Sequence, residues 1–424
     1  MVCQDNVSVG VLFTSDISGQ LWNTCVWDIN TGTSLTSYKG ESTSHRGLCI
    51  LGNQYLLGSS CSKPLIHVWA LQRREQHQLK IICPGRVTAL AVSPDGTYCI
   101  AAVGEKIHLW QVCTGNLMSV LSRHYQTVNV LKFTDNCSHF ISGGEDNLVI
   151  VWSLVSVLSS MNNPTRKPEP VRIWSSHSLP VTDVHVGKGG SRCRVVSASL
   201  DQTCKIWDMV SGELLQTIVF PTSVMSVAMD TAELRLLAGG SNGDVYCINM
   251  YGQPIRTERH IESHDQQGVS CLKGHSKQVT CLSVSTDGTK IVSGSHDHTV
   301  KIWDVFSGQC VRTLQHKGQV TNTLIVPTPP AIINAEIKPT LHLQPFKRHL
   351  YTGEDNSEDG GILHIRITGQ QKEEDREMDL SKLQKEHFSD TNISSLKEEL
   401  QQVKAINQDI FNFTVCTDGI GTLK

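Results

Sequence analysis

A large anchor residue recurs along this chain at a nearly constant interval. Trp27, Trp69, Trp110, Trp152, Trp207, Ile248 and Trp303 are separated by 42, 41, 42, 55, 41 and 55 residues, so the period holds with two insertions of about 14. A second register runs beside it, since a glycine follows the anchor by five residues at Gly32, Gly115, Gly212 and Gly308. A repeat of this length is one supersecondary unit that cannot bury its apolar face alone and must stack on neighbours. The unit reads most clearly from Cys271 to Leu314. There Val279 to Val284, Ile291 to Ser295, Thr299 to Trp303 and Cys310 to Leu314 are short β-rich runs, separated by Thr286-Asp287-Gly288, Asp297 and Ser307-Gly308 turns. Four strands per unit and seven units predict an all-β, seven-bladed propeller, which takes about 300 residues and leaves part of a 424-residue chain for a tail.

The clearest unit also carries Gly274-His275 before its first strand and Trp303-Asp304 at the end of its third. These dipeptides at this period resemble the WD repeat. His275, Ser293, Asp297 and Trp303 fall where such repeats place a hydrogen-bonded tetrad, with the imidazole between hydroxyl and carboxylate and the indole N–H donating to the serine. A buried polar set of this kind stabilises only when complete. Ser, His and Asp also compose a hydrolase triad, but here the serine lies mid-strand under an indole, with no strand-to-helix elbow to expose it. The full Trp-Asp pair recurs only at 27–28 and 207–208, and Gly-His does not recur. Most blades are therefore expected to lack the complete tetrad and to rely on packed Val, Ile and Leu.

The first blade reads as incomplete. Val7 to Phe13, Thr24 to Trp27 and Leu35 to Tyr38 supply three strands, and nothing earlier supplies a fourth. Gln319 to Val326 has the alternation and position to pair with them and close the ring, which removes both free edges. His349 to Thr352 and Gly361 to Ile367 are further strand candidates, either for an eighth blade or as an edge addition. The two insertions, Ser156 to Arg172 and Tyr251 to Ser270, are polar or Pro-rich and read as surface loops. Pro327 to Pro345 holds five of the chain's fourteen prolines and reads as a stiff, irregular connector. The expected organisation is a propeller over 1–326, a connector with extra strands over 327–368 and a helical tail over 369–424.

In that tail the period changes. Ile393, Leu396, Leu400, Val403, Asn407 and Ile410 are spaced 3, 4, 3, 4, 3, an a/d heptad seam with Asn407 at an a position. This predicts a coiled coil and a homodimer through it; a single amphipathic helix docked on the propeller is the other reading.

Composition narrows the function classes. With 37 Lys+Arg against 40 Asp+Glu the net charge is −3, so no global positive field points to nucleic acid. Fifteen cysteines lie scattered with no C-x-x-C pair, and the start MVCQDNVSVG is no signal peptide, so free thiols in a reducing compartment are expected. Apolar runs are strand-length, and no membrane span is expected. Enzyme motifs are poor. Gly239 to Gly243 fits G-x-S-x-G formally but falls in a hairpin, Gly187 to Gly190 lacks Walker spacing, and His296-Asp297-His298 has no third metal ligand at useful spacing. No catalytic, metal or cofactor-binding residue is expected.

The VWDINTG start, the SRHYQTVNVLKF and HFISGGEDNLVIVWSLVSVL stretches, the KGHSKQVTCLSVSTDG blade and the INQDIFNF end resemble the WD repeat-containing protein 18 family over nearly the whole chain. That resemblance implies a non-catalytic scaffold subunit of a rixosome-type nucleolar complex, acting in pre-rRNA processing and maturation of the large ribosomal subunit. It implies as partners a proline-, glutamate- and leucine-rich scaffold protein, a testis-expressed helical-repeat subunit, an RNA-processing nuclease–kinase pair, a SUMO protease and the pre-ribosomal large subunit. It places the chain in nucleolus and nucleoplasm, with some in the cytoplasm. The alternative is a WD substrate receptor that brings a modified peptide to a ligase or motor assembly. Such a receptor needs clustered Arg or Lys on one face, and Arg73-Arg74, Arg166-Lys167 and Lys347-Arg348 do not obviously cluster.

Overall fold

The computed structural model describes residues 10–18, 24–72, 78–160, 168–251, 257–261, 268–334 and 339–351. Among the described residues, seven sheets stand around a central channel, six antiparallel ones of four strands and one of five whose outermost strand is parallel to its neighbour. Each anchor lies on the third strand from the channel, and all except half-buried Trp27 are buried. Blade 4 shows the pattern: Val128–Phe133 lines the channel, His139–Gly144 and Val149–Ser153 follow, and Arg172–Trp174 is outermost.

Alternation along a strand sends successive side chains to opposite sheet faces. In blade 4, Phe140, Ile150 and Trp152 therefore pack on blade 3, while Ile141, Val149 and Val151 pack on blade 5. The same division yields seven apolar clusters, one at each joint between blades. Strands covered on both faces read as continuous apolar runs, which is what LVIVW is. Each fully buried large side chain is worth about 1.5–3 kcal/mol, so the ring rests on its joints rather than on one centre.

The ring closes with strands from both ends of the propeller. Val320–Pro327 is the channel strand of blade 1 and pairs with Gly10–Asp16 from Gly10↔Pro327 to Asp16↔Val320. Each channel strand packs on those of its two neighbours, and the circle is completed where Val320–Pro327 meets Thr43–Leu51.

A relay of hydrogen bonds runs around the channel. The channel strands of blades 3, 4, 5 and 7 each bulge after their first residue. The bulged side chain donates to the first carbonyl of the next blade: Thr88 to Val128 O (2.6 Å), Asn129 to Val181 O (3.1 Å), Thr182 to Val224 O (2.7 Å) and Thr280 to Val320 O (2.8 Å). In blade 6 the bulge residue is Met225, which has no donor, and Ser226 bonds Val279 O at 3.1 Å instead. Asn322 of blade 1 continues the relay to Ser44 O at 2.8 Å. A bulge thus turns an unpaired position into a joint between blades.

Three expectations are corrected. The insertion after Ser156 is not simply a loop, because Leu154–Ser159 is a short helix that buries Leu154 and Val157 in the joint of blades 3 and 4. The 251–270 insertion crosses back to blade 5, where Glu258–His260 adds a fifth, parallel strand beside Leu214–Val219, before Val269–Leu272 completes blade 6. Nor is the connector free of regular contacts. Pro330–Ile333 is a helical turn with Ala331 buried at the joint of blades 1 and 2, and residues 339–351 strap blades 2 and 3. Gln54 Oε1 accepts the N–H groups of Thr340 and Leu341 at 2.9 Å, Lys347 N–H donates to Gly115 O at 2.7 Å, and Trp110 Nε1–H donates to Lys347 O at 2.9 Å. Phe346 stacks on Trp110 with centroids 5.1 Å apart. Leu350 makes one parallel bridge to Leu117, so within 349–351 the strand candidate is an edge addition. Gly361 to Ile367 and the seam Ile393, Leu396, Leu400, Val403, Asn407 and Ile410 lie outside the described residues.

Candidate functional site: the stapled face and the channel mouth

In blade 7, His275 precedes the channel strand and Asp297 sits in the turn before the anchor strand, so both reach the same end of the sheet. His275 Nε2 lies 2.8 Å from Ser293 Oγ and Nδ1 lies 2.9 Å from Asp297 Oδ2, while Trp303 Nε1–H donates to Ser293 Oγ at 2.8 Å. Thr299 Oγ1–H also donates to Asp297 at 2.6 Å. Burial lowers the affinity of His275 for a proton, with Asp297 opposing. Burial by itself raises the Asp297 carboxyl, but hydrogen bonds from Thr299, His275 and the Ser276 N–H hold it below the ordinary carboxylate range.

The sequence reading missed two more complete sets. In blade 4, His124 joins Ser142 (2.8 Å) and Asp146 (2.9 Å), and Trp152 donates to Ser142 at 3.0 Å. In blade 5, His177 joins Ser197 and Asp201 (2.8 Å each), and Trp207 donates to Ser197 at 2.9 Å. The signal was present: Ser-x3-Asp-x5-Trp recurs in all three blades, with histidine 18 or 20 residues upstream. Requiring glycine before the histidine hid it, because Arg123 and Ser176 stand there instead.

Blade 1 assembles a variant from both ends of the ring. Trp27 donates to Thr14 Oγ1 at 2.8 Å, and His316, just before the closing strand, stands edge-on to Trp27 with Nδ1 3.7 Å from Asp16 Oδ2. In blades 2 and 3 the anchor indoles find main-chain acceptors instead, Lys39 O and Lys347 O. Ile248 of blade 6 carries no donor and simply packs.

As chemistry, the three Ser-His-Asp sets are closed. Each serine is 0% exposed, its oxygen already accepts an indole N–H, and the histidine side chains are at most 1% exposed. A nucleophile needs access to its substrate, and these lack it. Ser241 of the G-x-S-x-G match lies in the hairpin between Arg235–Gly240 and Val245–Asn249.

The stapled ends of the blades surround the channel mouth. Blade 2 bulges between Thr43 and Leu48, and within this bulge Arg46 takes a left-handed backbone (φ 52°) and reaches across the channel. Its Nε lies 2.9 Å from Asp183 of blade 5, and Nη2–H donates to Met225 O of blade 6 at 2.8 Å. Asp183 also accepts the Val227 N–H at 3.0 Å. Next to Arg46, His45 stands 5.6 Å from the ring of His296, and burial, then Arg46 and His296, push its imidazole down to about 4. Further in, burial pushes His185 down to about 4 as well.

Comparison with known proteins agrees with this geometry. The WD domain, G-beta repeat family profile matches residues 115–153, 168–208 and 259–304, which cover the three fully stapled anchor strands. WD repeat-containing protein 18 of Homo sapiens is 42% identical over 95% of this chain and 96% of its own length. The Danio rerio protein of that name is 42% identical over 96% and 97%. The chain belongs to the WD repeat-containing protein 18 family. The family likeness extends well past the repeat matches, through the strap and the residues beyond it. Pre-rRNA-processing protein pro-1 of Caenorhabditis briggsae is a more distant relative, 26% identical over 77% of this chain and 62% of its own.

Proposed function

We propose that this chain is a non-catalytic scaffold subunit of a rixosome-type nucleolar assembly that acts in pre-rRNA processing and maturation of the large ribosomal subunit. The observation that carries this reading is 42% identity spread over 95% of the chain to a WD propeller family, with a more distant relative named for pre-rRNA processing. The burial of every Ser-His-Asp set supports a role without catalysis. In this reading the 1–326 ring, with the 339–351 strap of the 327–368 connector docked on it, offers surfaces, and the 369–424 tail assembles through Ile393, Leu396, Leu400, Val403, Asn407 and Ile410, either with a second copy or with a partner. The partners are the proline-, glutamate- and leucine-rich scaffold, the testis-expressed helical-repeat subunit, the nuclease–kinase pair and the SUMO protease, on the pre-ribosomal large subunit. The setting is nucleolus and nucleoplasm, with a cytoplasmic fraction.

Purification of the tagged full-length chain from nuclear extract, followed by mass spectrometry, tests this. Recovery of those subunits with large-subunit precursors is expected. Recovery of a ligase or motor assembly in their place sinks the reading.

A further inference from the structure

The seven channel strands carry few charges. Apart from thiols, their ionisable side chains are His45, Arg46, Lys132, Asp183 and His185. Asp183 is the one carboxylate in this set, and it is committed to Arg46 at 2.9 Å and to the Val227 N–H at 3.0 Å. Lys132 therefore has no counter-ion on the channel wall. Among the described residues, neither its ammonium nor the His185 ring makes a hydrogen bond or ion pair.

Strand register puts these two groups at one level. Lys132 pairs with Ile141 and His185 with Val196, matching places on the adjacent blades 4 and 5. The other five strands contribute Leu324, Cys49, Ala91, Ala228 and Ser283 at that level, none of them acidic and most of them small. Lys132 is exposed and His185 half-buried, so both reach the lumen. The Lys132 charge acts on His185 and, past the small Ala91, on Cys49 of blade 2. Burial keeps the His185 imidazole neutral near pH 7, and a neutral imidazole has one N–H to donate. Arg46 bars the channel at Asp183, two residues nearer the stapled face, so this level opens toward the opposite mouth. There the turns joining first and second strands carry Asp95, Asp135, Asp230, Glu233 and Asp287 against Lys188 and Arg192.

We propose that the channel between Arg46 and this mouth is a binding site for a small oxyanion of the phosphate class, held by Lys132 Nζ and a ring N–H of His185. This goes beyond the scaffold reading and stands without it. A lysine is a point charge and lacks the fork that grips a carboxylate in two places. A phosphate dianion gains more from a single cation and has oxygens to spare for the imidazole. RNA fits less well, since it gains affinity from a continuous basic track, and here one lysine stands behind a mouth that is mostly acidic.

Isothermal titration calorimetry of the full-length chain, at neutral pH and constant ionic strength, tests this with inorganic phosphate, acetate and a short single-stranded RNA. Phosphate should bind at one site and more tightly than acetate. Lys132→Gln, at an exposed side chain, should weaken phosphate binding about tenfold with an unchanged melting curve. Lys132→Arg keeps the charge and should keep the binding, His185→Phe should weaken it, and Lys277→Gln, on the stapled face, should bind as wild type. No phosphate binding, or binding that Lys132→Gln or His185→Phe leaves intact, overturns the proposal. Acetate binding as tight as phosphate, or RNA binding that Lys132→Gln abolishes, overturns it as well.

Discussion

Arg46 spans the channel, and replacing it should loosen the ring in a measurable way. Arg46→Ala removes the 2.9 Å contact to Asp183 and the 2.8 Å bond to Met225 O. Breaking a fully buried pair costs about 3–5 kcal/mol, and an exposed pair is worth at most about 1 kcal/mol. With side chains 21% and 12% exposed this pair lies between, and Asp183 keeps the N–H groups of Val184 and Val227. A loss of about 1–3 kcal/mol follows. Backbone strain gives an internal control. Alanine at φ 52° retains the left-handed penalty that glycine does not have, so Arg46→Gly should be the more stable variant by about 1 kcal/mol. Urea denaturation of wild type, Arg46→Ala, Asp183→Asn and the double variant isolates the pair. A coupling energy within error of zero would refute the claim that Arg46 ties blade 2 to blades 5 and 6.

Three further outcomes are expected. His124→Ala, His177→Ala and His275→Ala should each cost about 1–3 kcal/mol, since each strands a buried serine and carboxylate; unchanged melting with lost biological activity would reopen a catalytic reading. Truncation after Gly318 removes the channel strand of blade 1 and exposes the edge of Gly10–Asp16, so the product should aggregate, and a soluble folded 1–318 fragment would place closure elsewhere. Thermal stability should also depend on pH in a definite direction. His45 and His185 titrate near 4 in the fold, below the ordinary histidine value near 6.5, so the unfolded chain binds the proton first. Their contribution is full above about pH 6.5 and is lost as pH falls toward 4. Asp146 and Asp297, held low in the fold, add a second loss below about pH 4. His185→Gln should flatten the upper window, and a melting temperature that does not change from pH 7.5 to 5 would contradict the histidine assignment.

What the sequence made legible follows from the range of each interaction. The anchors could be read because a blade repeats locally, and the repeat even located Ile248, which has lost the indole but kept its place on the third strand. Ring closure could be read because an incomplete first blade needs a strand and Val320–Pro327 alternates. Arg46 could not be read: its partners are 137 and 179 residues away, and only the closed ring brings them opposite. The strap was equally hidden, since residues 339–351 dock by main-chain bonds and by Leu341, Leu343 and Phe346, too short a set to leave a repeat-length trace. Glu258–His260 escaped for the same reason, as a strand held by backbone pairing with exposed polar side chains.

The central claim, scaffolding of large-subunit maturation through the propeller and its tail, is tested most directly by depleting the endogenous protein and re-expressing the full chain or its Leu400→Asp, Val403→Asp variant while following pre-rRNA by hybridisation. Depletion should accumulate large-subunit rRNA precursors. Wild type should restore their processing, and the variant, carrying charges in the apolar seam, should fail to restore it even though its propeller melts normally. Unchanged pre-rRNA after depletion, or full rescue by the variant, would contradict the account.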